Sequence, residues 1–469
     1  MQNEKEMRPF GLGDKIGYMF GDFGNDFTFL FASTFLMIFY TKVLGVGMGV
    51  VGILFVVARC VDAFTDVAMG QIVDRAKPGK GGRFRPWILR MCGPVAIASF
   101  LMYQSSLANA SMTIKVVYMF VTYILWGSVF YTSINIPYGS MASVLSSESD
   151  DRASLSTFRS VGAALASLIV CVGGPMLIYT TDAAGNQIVD GQRFTFIAGV
   201  FSVCAILCYL LCYSMTTERV KTVAMNANET PRVFQSLKAA ATSRSLLGII
   251  LAAIFLLLGS LMSQSVNQYV FIDYFKDKAG ISLLSLCAII PSFVLAPFIV
   301  PLSRKFGKRE LGAVGCYVGG GACLLLYFMH TTSMMAYIGV SIVAYLGFGF
   351  FNMIIWALIT DVIDDQEVKT GKREDGTVYA VYSFARKIGQ ALSGGLGAWA
   401  LVMAGYDSTV QVQTQAVATR IYDVATAVPG ILYICVGLCL TFVYPLSKKK
   451  VEENIAILKE RKAAQEEGK

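Results

Sequence analysis

Long apolar runs alternate with short polar breaks along the whole chain. At about 1.5 Å per residue, roughly 20 apolar residues cross the ~30 Å hydrocarbon layer of a bilayer. About twelve such runs can be counted, over residues 16–41, 47–73, 87–107, 114–143, 154–180, 194–215, 246–274, 281–303, 311–330, 333–360, 377–404 and 424–446. The longest polar break, TTERVKTVAMNANETPRVFQSLKAAATSRS at 216–245, divides them six and six. The pattern predicts an all-α membrane protein of twelve transmembrane helices. An N-terminal half covers 1–215, a cytoplasmic linker 216–245, and a C-terminal half with a cytoplasmic tail 246–469. The tail, VEENIAILKERKAAQEEGK, reads as a short charged helix or a disordered end.

Composition agrees. The chain is 55% hydrophobic and 15% charged, against about 25% charged in soluble domains, which excludes a large soluble enzyme. Its net charge of +8 lies in loops beside apolar runs, which argues for control of topology and not for nucleic acid. Arg75 to Arg85, Arg219, Lys221, Arg232, Arg304 to Arg309 and Lys448 to Lys450 crowd one set of loops. The alternate loops hold little more than Lys42, Arg193, Lys276, Lys278 and Arg420. The rich set is expected to be cytoplasmic, with both termini inside a cell inner membrane. The opening residues, MQNEKEMRPFGLGDK, show no signal peptide. A single histidine, His330, leaves no room for a histidine-based metal cluster or triad, and Cys204, Cys208 and Cys212 form an apolar stripe that reads as packing.

Against this background, charges inside the apolar runs stand out. VGILFVVARCVDAFTDVAMGQIV carries Arg59, Asp62 and Asp66. The two acids are four residues apart and share one helix face, at about 18 and 12 Å from the point where the run re-enters water. Each carboxylate costs roughly 2.5–3.5 kcal/mol in hydrocarbon, so the pair is a functional candidate by default. Asp62 and Asp66, with the hydroxyls of Thr65 and Thr132, offer hard oxygen ligands to a monovalent cation or a site for a proton. Asp26, Asn135 and Arg159 lie at comparable depths and present orientable hydrogen-bonding groups. Tyr131, Tyr138 and Trp356 could offer apolar faces to a sugar ring.

The halves echo one another. RSVGAALAS from Arg159 in the fifth run matches RKIGQALSG from Arg386 in the eleventh, and each follows an acidic loop, SSESDDR or DVIDDQEVKTGKREDG. Repeated halves of this kind indicate a transporter with its site between them.

GDFGNDF, ARCVDAFTD, GRFRPW, NIPYGS, TDVIDDQE and REDGTVYAVYSFARKIGQA occur in that order and span nearly the whole chain. In these residues the sequence resembles the glycoside–pentoside–hexuronide:cation symporters of the major facilitator fold. The resemblance implies that Asp62 and Asp66 are cation-site acids, with Thr132 a neighbouring hydroxyl ligand. It also implies that Asp26 and Arg159 bind sugar, and that Lys387 links the eleventh span to the cation site. Asn135 stands where melibiose permease has an acid, and Thr65 where it has asparagine. NIPYGS and the Arg386–Lys387 pair follow the glucuronide carriers of the family, and two adjacent cations could hold a uronic carboxylate.

The expected activity is uptake of a glycoside coupled to H+ or Na+, by a protein that acts as a monomer, uses no cofactor and performs no covalent chemistry. Arg59, Arg386 and Lys387 are candidates for coupling or gating. A cation-coupled carrier of a lipid-like amphiphile, a drug antiporter and a non-transporting sensor on the same fold are the rival readings.

Overall fold

The computed structural model describes residues 8–76, 79, 81–146, 148–181, 187–220, 243–370 and 375–467. Its first six long helices are α1 (Leu12–Val43), α2 (Met48–Arg75), α3 (Arg85–Leu101), α4 (Met112–Leu145), α5 (Ser154–Ile178) and α6 (Gly191–Met215). The second six are α7 (Arg244–Tyr274), α8 (Lys278–Phe306), α9 (Lys308–Met329), α10 (Met334–Thr370), α11 (Asp375–Met403) and α12 (Gln415–Val443). Strands β1 (Tyr179–Thr181) and β2 (Gln187–Val189) pair antiparallel between α5 and α6. The apolar pattern did not foretell this hairpin, because three-residue strands carry no usable period. The charged tail is helical, as α13 (Lys448–Glu467).

Helix ends depart from the apolar runs where polar residues continue the helix. The acidic stretch DVIDDQEVKT was expected to be loop, but α10 runs on to Thr370. Lys369 Nζ reaches Asp365 one turn back at 2.6 Å, and the Asn454 side-chain amide of α13 donates to the same carboxylate at 3.3 Å. SDDR, expected in a loop before the fifth run, is likewise helical from Ser149. The twelfth helix starts at Gln415 and not near 424, with Thr414 as its N-cap. Helix α8 continues through Pro291, Pro297 and Pro301. Neighbouring helices in a membrane can compensate the backbone groups that proline leaves unpaired.

Two compact units are distinguishable. One comprises 1–230 with 276–285 and 406–413; the other comprises 231–275, 286–405 and 414–469. In the first unit α1 packs on α5 and α6, and α3 on α4 and α6. In the second, α7 packs on α11 and α12, and α9 on α10 and α12. The order of packing repeats, as the echoed motifs suggested. Close approach depends on glycine in both units. A Cβ on Gly162 of α5 would lie 2.5 Å from the Met19 carbonyl oxygen of α1, and one on Gly347 of α10 would lie 2.5 Å from the Gly319 nitrogen of α9.

Most of the expected linker, 221–242, lies outside the described residues. Its first residues are firmly anchored. The Glu218 carboxylate accepts from the backbone N–H groups of Arg83, Phe84 and Arg85 at 2.7, 2.8 and 2.7 Å, capping the start of α3. Arg219 pairs with the fully buried Asp14 of α1 at 2.8 Å. The sequence assigned neither residue a role beyond topology.

Candidate transport site

The membrane acids of α2 face α4, and the two helices meet in register. Asp62 and Asp66 are one turn apart on α2; Ser128 and Thr132 are one turn apart on α4. The Ser128 hydroxyl donates to Asp62 Oδ1, and the Thr132 hydroxyl lies 2.9 Å from Asp66 Oδ1. Residues 125–131 of α4 form a wide π-type turn immediately before Thr132. Such a turn shifts the phase of the side chains that follow it and is frequent at functional sites. Arg59 Nη1 donates to the other oxygen of Asp62 at 3.1 Å, across three residues of the same helix.

Thr65 behaves differently. Its Oγ1 lies 3.2 Å from both the Val61 and the Asp62 carbonyl oxygens, so its proton is spent on its own helix. Ser128 is the hydroxyl that sequence reasoning missed. The available signal was its spacing of four from Thr132, equal to that of the two acids.

The second cluster gathers around Arg159 of α5. Its Nε donates to Asp22 Oδ1 of α1 at 2.9 Å, and its guanidinium lies over the Tyr138 ring at 5.5 Å. Tyr138 stacks on Tyr18 at 4.7 Å and donates its hydroxyl to the Tyr18 carbonyl at 2.8 Å, so the face under the arginine is rigidly held. Asp22 was not singled out from the sequence. It precedes Asp26 by four residues and takes the ion pair with Arg159. Asp26, one turn on, has no hydrogen bond or ion pair among the described residues; Asp22 and Arg159 act on it electrostatically.

Asn135 is tied to the same helix face through Asn25. The Asn25 amide donates to Asn135 Oδ1 at 3.5 Å, and Tyr209 of α6 donates to Asn25 Oδ1 at 2.9 Å. Tyr131 stacks against Phe29 at 5.6 Å and contacts Trp126 at 5.4 Å. The structure thus brings Asp26, Asn135, Arg159, Tyr131, Asp62, Asp66 and Thr132 into the first unit on α1, α2, α4 and α5.

The remaining candidates belong to the second unit. Arg386 of α11 stacks its guanidinium over the Trp356 ring at 5.6 Å, and Trp356 meets Tyr382 edge-on at 5.1 Å. Trp356 is 40% exposed. The Lys387 side chain lies outside the described residues.

A family described as MFS/sugar transport protein matches residues 17–448. The chain belongs to that family. Within it the chain is a glycoside–pentoside–hexuronide symporter type, as its motifs suggested. It is similar to a glucuronide carrier protein homolog of Escherichia coli (strain K12), with 30% identity over 461 residues covering 96% of each chain. It is also 30% identical to the isoprimeverose transporter of Lactiplantibacillus pentosus, over 86% of this chain and 82% of the relative. Among solved structures, a bacterial homolog of the human lysosomal transporter Spinster, inward-facing and unoccupied, superposes with a TM-score of 0.68 at 12% identity, covering 94% and 97% of the two chains. That likeness concerns the fold alone. Members of the MFS/sugar transport family are multi-pass membrane transporters, and the twelve-helix chain is one of them.

Proposed function

We propose that this member imports a glycoside across a bacterial-type inner membrane by symport with one monovalent cation, H+ or Na+. The observation that carries the reading is the register of two membrane carboxylates with two hydroxyls, Asp62 with Ser128 and Asp66 with Thr132. A cation bound there would relieve the repulsion between the acids and raise glycoside affinity by reciprocal coupling. Arg159, Asp26 and Asn135, with Tyr131 beside them, would hold sugar hydroxyls; Trp356 and Arg386 would serve from the second half. Lys387 would connect α11 to the cation acids, as the family resemblance implies. The two six-helix halves, 1–215 and 246–469, would rock about the shared site, joined by the cytoplasmic linker, in a monomer with both termini inside.

Substrate charge is the finer question. The glucuronide carrier homolog and the Arg386 guanidinium over the Trp356 ring favour an acidic sugar. The isoprimeverose transporter favours a neutral glycoside. Uptake of a panel of glycosides into membrane vesicles, with and without Na+ at fixed pH, tests the whole reading. Accumulation of at least one glycoside should follow a cation gradient. Entry of every glycoside without dependence on a proton or sodium gradient would overturn it, and competition by amphiphiles but by no sugar would favour the lipid-carrier rival.

A further inference from the structure

Arg159 and Arg386 hold matching places in RSVGAALAS and RKIGQALSG, yet only one of them has a counter-charge. Arg159 Nε donates to Asp22 Oδ1 at 2.9 Å, and the Asp22 side chain is only 9% exposed. Arg386 makes no ion pair among the described residues and rests on the Trp356 ring. Helix α1 supplies the acid in the first half. Helix α7, first in the second half, has no acid between Arg244 and Asp273.

The contact with Asp22 uses one of the five N–H groups of the guanidinium. No hydrogen bond from Arg159 Nη1 or Nη2 is present among the described residues, and the side chain is 45% exposed. Four donors therefore remain on the far fork of a group held against the Tyr138 ring. Asp26, one turn along α1 from Asp22, lies in electrostatic range of both Asp22 and Arg159. Whether or not Asp26 carries a proton, these three groups have no net positive charge. Donors beside a carboxyl suit sugar hydroxyls, each of which both donates and accepts. A carboxylate in the same place would accept from Arg159 but meet the acids as like charges.

Resting on the glycoside reading above, we infer that Asp22 is a specificity-determining residue of this subsite. By offsetting the charge of Arg159 it makes the remaining N–H groups select uncharged sugar hydroxyls over a carboxylate. Discrimination here is thus built from a repulsion as well as an attraction. Asp22 acts through Arg159 and is a positioning residue, since it also fixes which edge of the guanidinium is left for the sugar. The carboxylate of an acidic sugar would fall to the second half, where Arg386 keeps its charge.

The test compares binding of p-nitrophenyl β-glucoside and p-nitrophenyl β-glucuronide to the purified full-length chain in detergent, at fixed pH and ionic strength. In D22N the ratio of affinities should shift toward the glucuronide by about tenfold, the effect of removing one unit charge several ångströms from the carboxylate. D22E should keep the wild-type ratio. Glucuronide binding in D22N where wild type shows none also supports the inference. A salt bridge with only a structural role would weaken both probes together and leave the ratio alone. If D22N does not fold, D22S removes the same charge, keeps an acceptor for Nε and decides in its place. An unchanged ratio, a shift toward the glucoside, or no glucuronide binding in the uncharged variant overturns the inference. The symport reading fails on a different result, namely entry of every glycoside without dependence on an ion gradient.

Discussion

In the first half, α2 crosses the membrane with Arg59, Asp62 and Asp66 in its apolar run, and α4 meets the acids with hydroxyls. Helix α8, second in the other half, crosses with three prolines and no charge between Ala279 and Ser303. The echoed arginines diverge in the same way. Arg159 pairs with Asp22 on α1, whereas Arg386 stacks on Trp356 of α10. Yet the packing order of the helices is shared. A repeated scaffold therefore constrains small residues and apolar faces, because those hold the helices together. It leaves polar positions free to specialise, so chemistry can concentrate in one copy.

The largest effect should come from removing the charge that most distinguishes α2 from α8. D66N keeps the shape of the side chain and its contact with Thr132 but abolishes cation-driven accumulation. Exchange of glycoside without a gradient survives. Uptake and counterflow in vesicles separate the two, and intact accumulation would remove the asymmetry between the halves.

The two arginines come next. R159A should weaken glycoside binding by roughly 1.5–3 kcal/mol, the worth of a hydrogen bond made by a charged group. Because the change also leaves Asp22 unpaired, R159A is compared with R159A/D22N, whose unfolding midpoint should recover while binding does not. Wild-type affinity for every transported glycoside in R159A would remove Arg159 from the sugar site. R386Q should weaken transport of a glucuronide by roughly 1.5–3 kcal/mol, the worth of a charge-assisted hydrogen bond, and spare a neutral xyloside. Equal losses for both substrates would assign Arg386 to helix packing or a gate.

The smallest effect is expected at Ser128. S128A removes one neutral hydroxyl from Asp62, so the half-saturating cation concentration should rise only several-fold, for about 1 kcal/mol. A change as large as that in D66N would mean that the hydroxyl register, and not the acid pair, dominates the site.

Much of this was legible in the primary structure because lipid imposes strict rules. Spans must be long and apolar, buried charges must have a reason, and echoed motifs mark echoed helices. Legibility failed where polar residues extend helices beyond the apolar runs. Asp365 and Lys369 look like loop residues until their ion pair and the contact with Asn454 are visible. It failed again at Ser128, since serine is common in membrane helices, and only the facing carboxylate gives this one significance.

Asp62, Asp66 and Arg59 were identifiable from sequence alone, as was their sharing of one helix, because hydropathy and the 3.6-residue period are local properties. The partner of each charge was not. Asp22 and Asp26 are both acids of α1 one turn apart, and composition cannot say which of them meets Arg159. Tertiary structure decides that Asp22 does, through the approach of α5 to α1 that Gly162 permits. It likewise decides that Thr65 bonds to its own helix while Thr132 turns to Asp66. A hydroxyl's partner depends on the phase of the facing helix, and that phase is set by a π turn and by packing between elements about 66 residues apart in the chain.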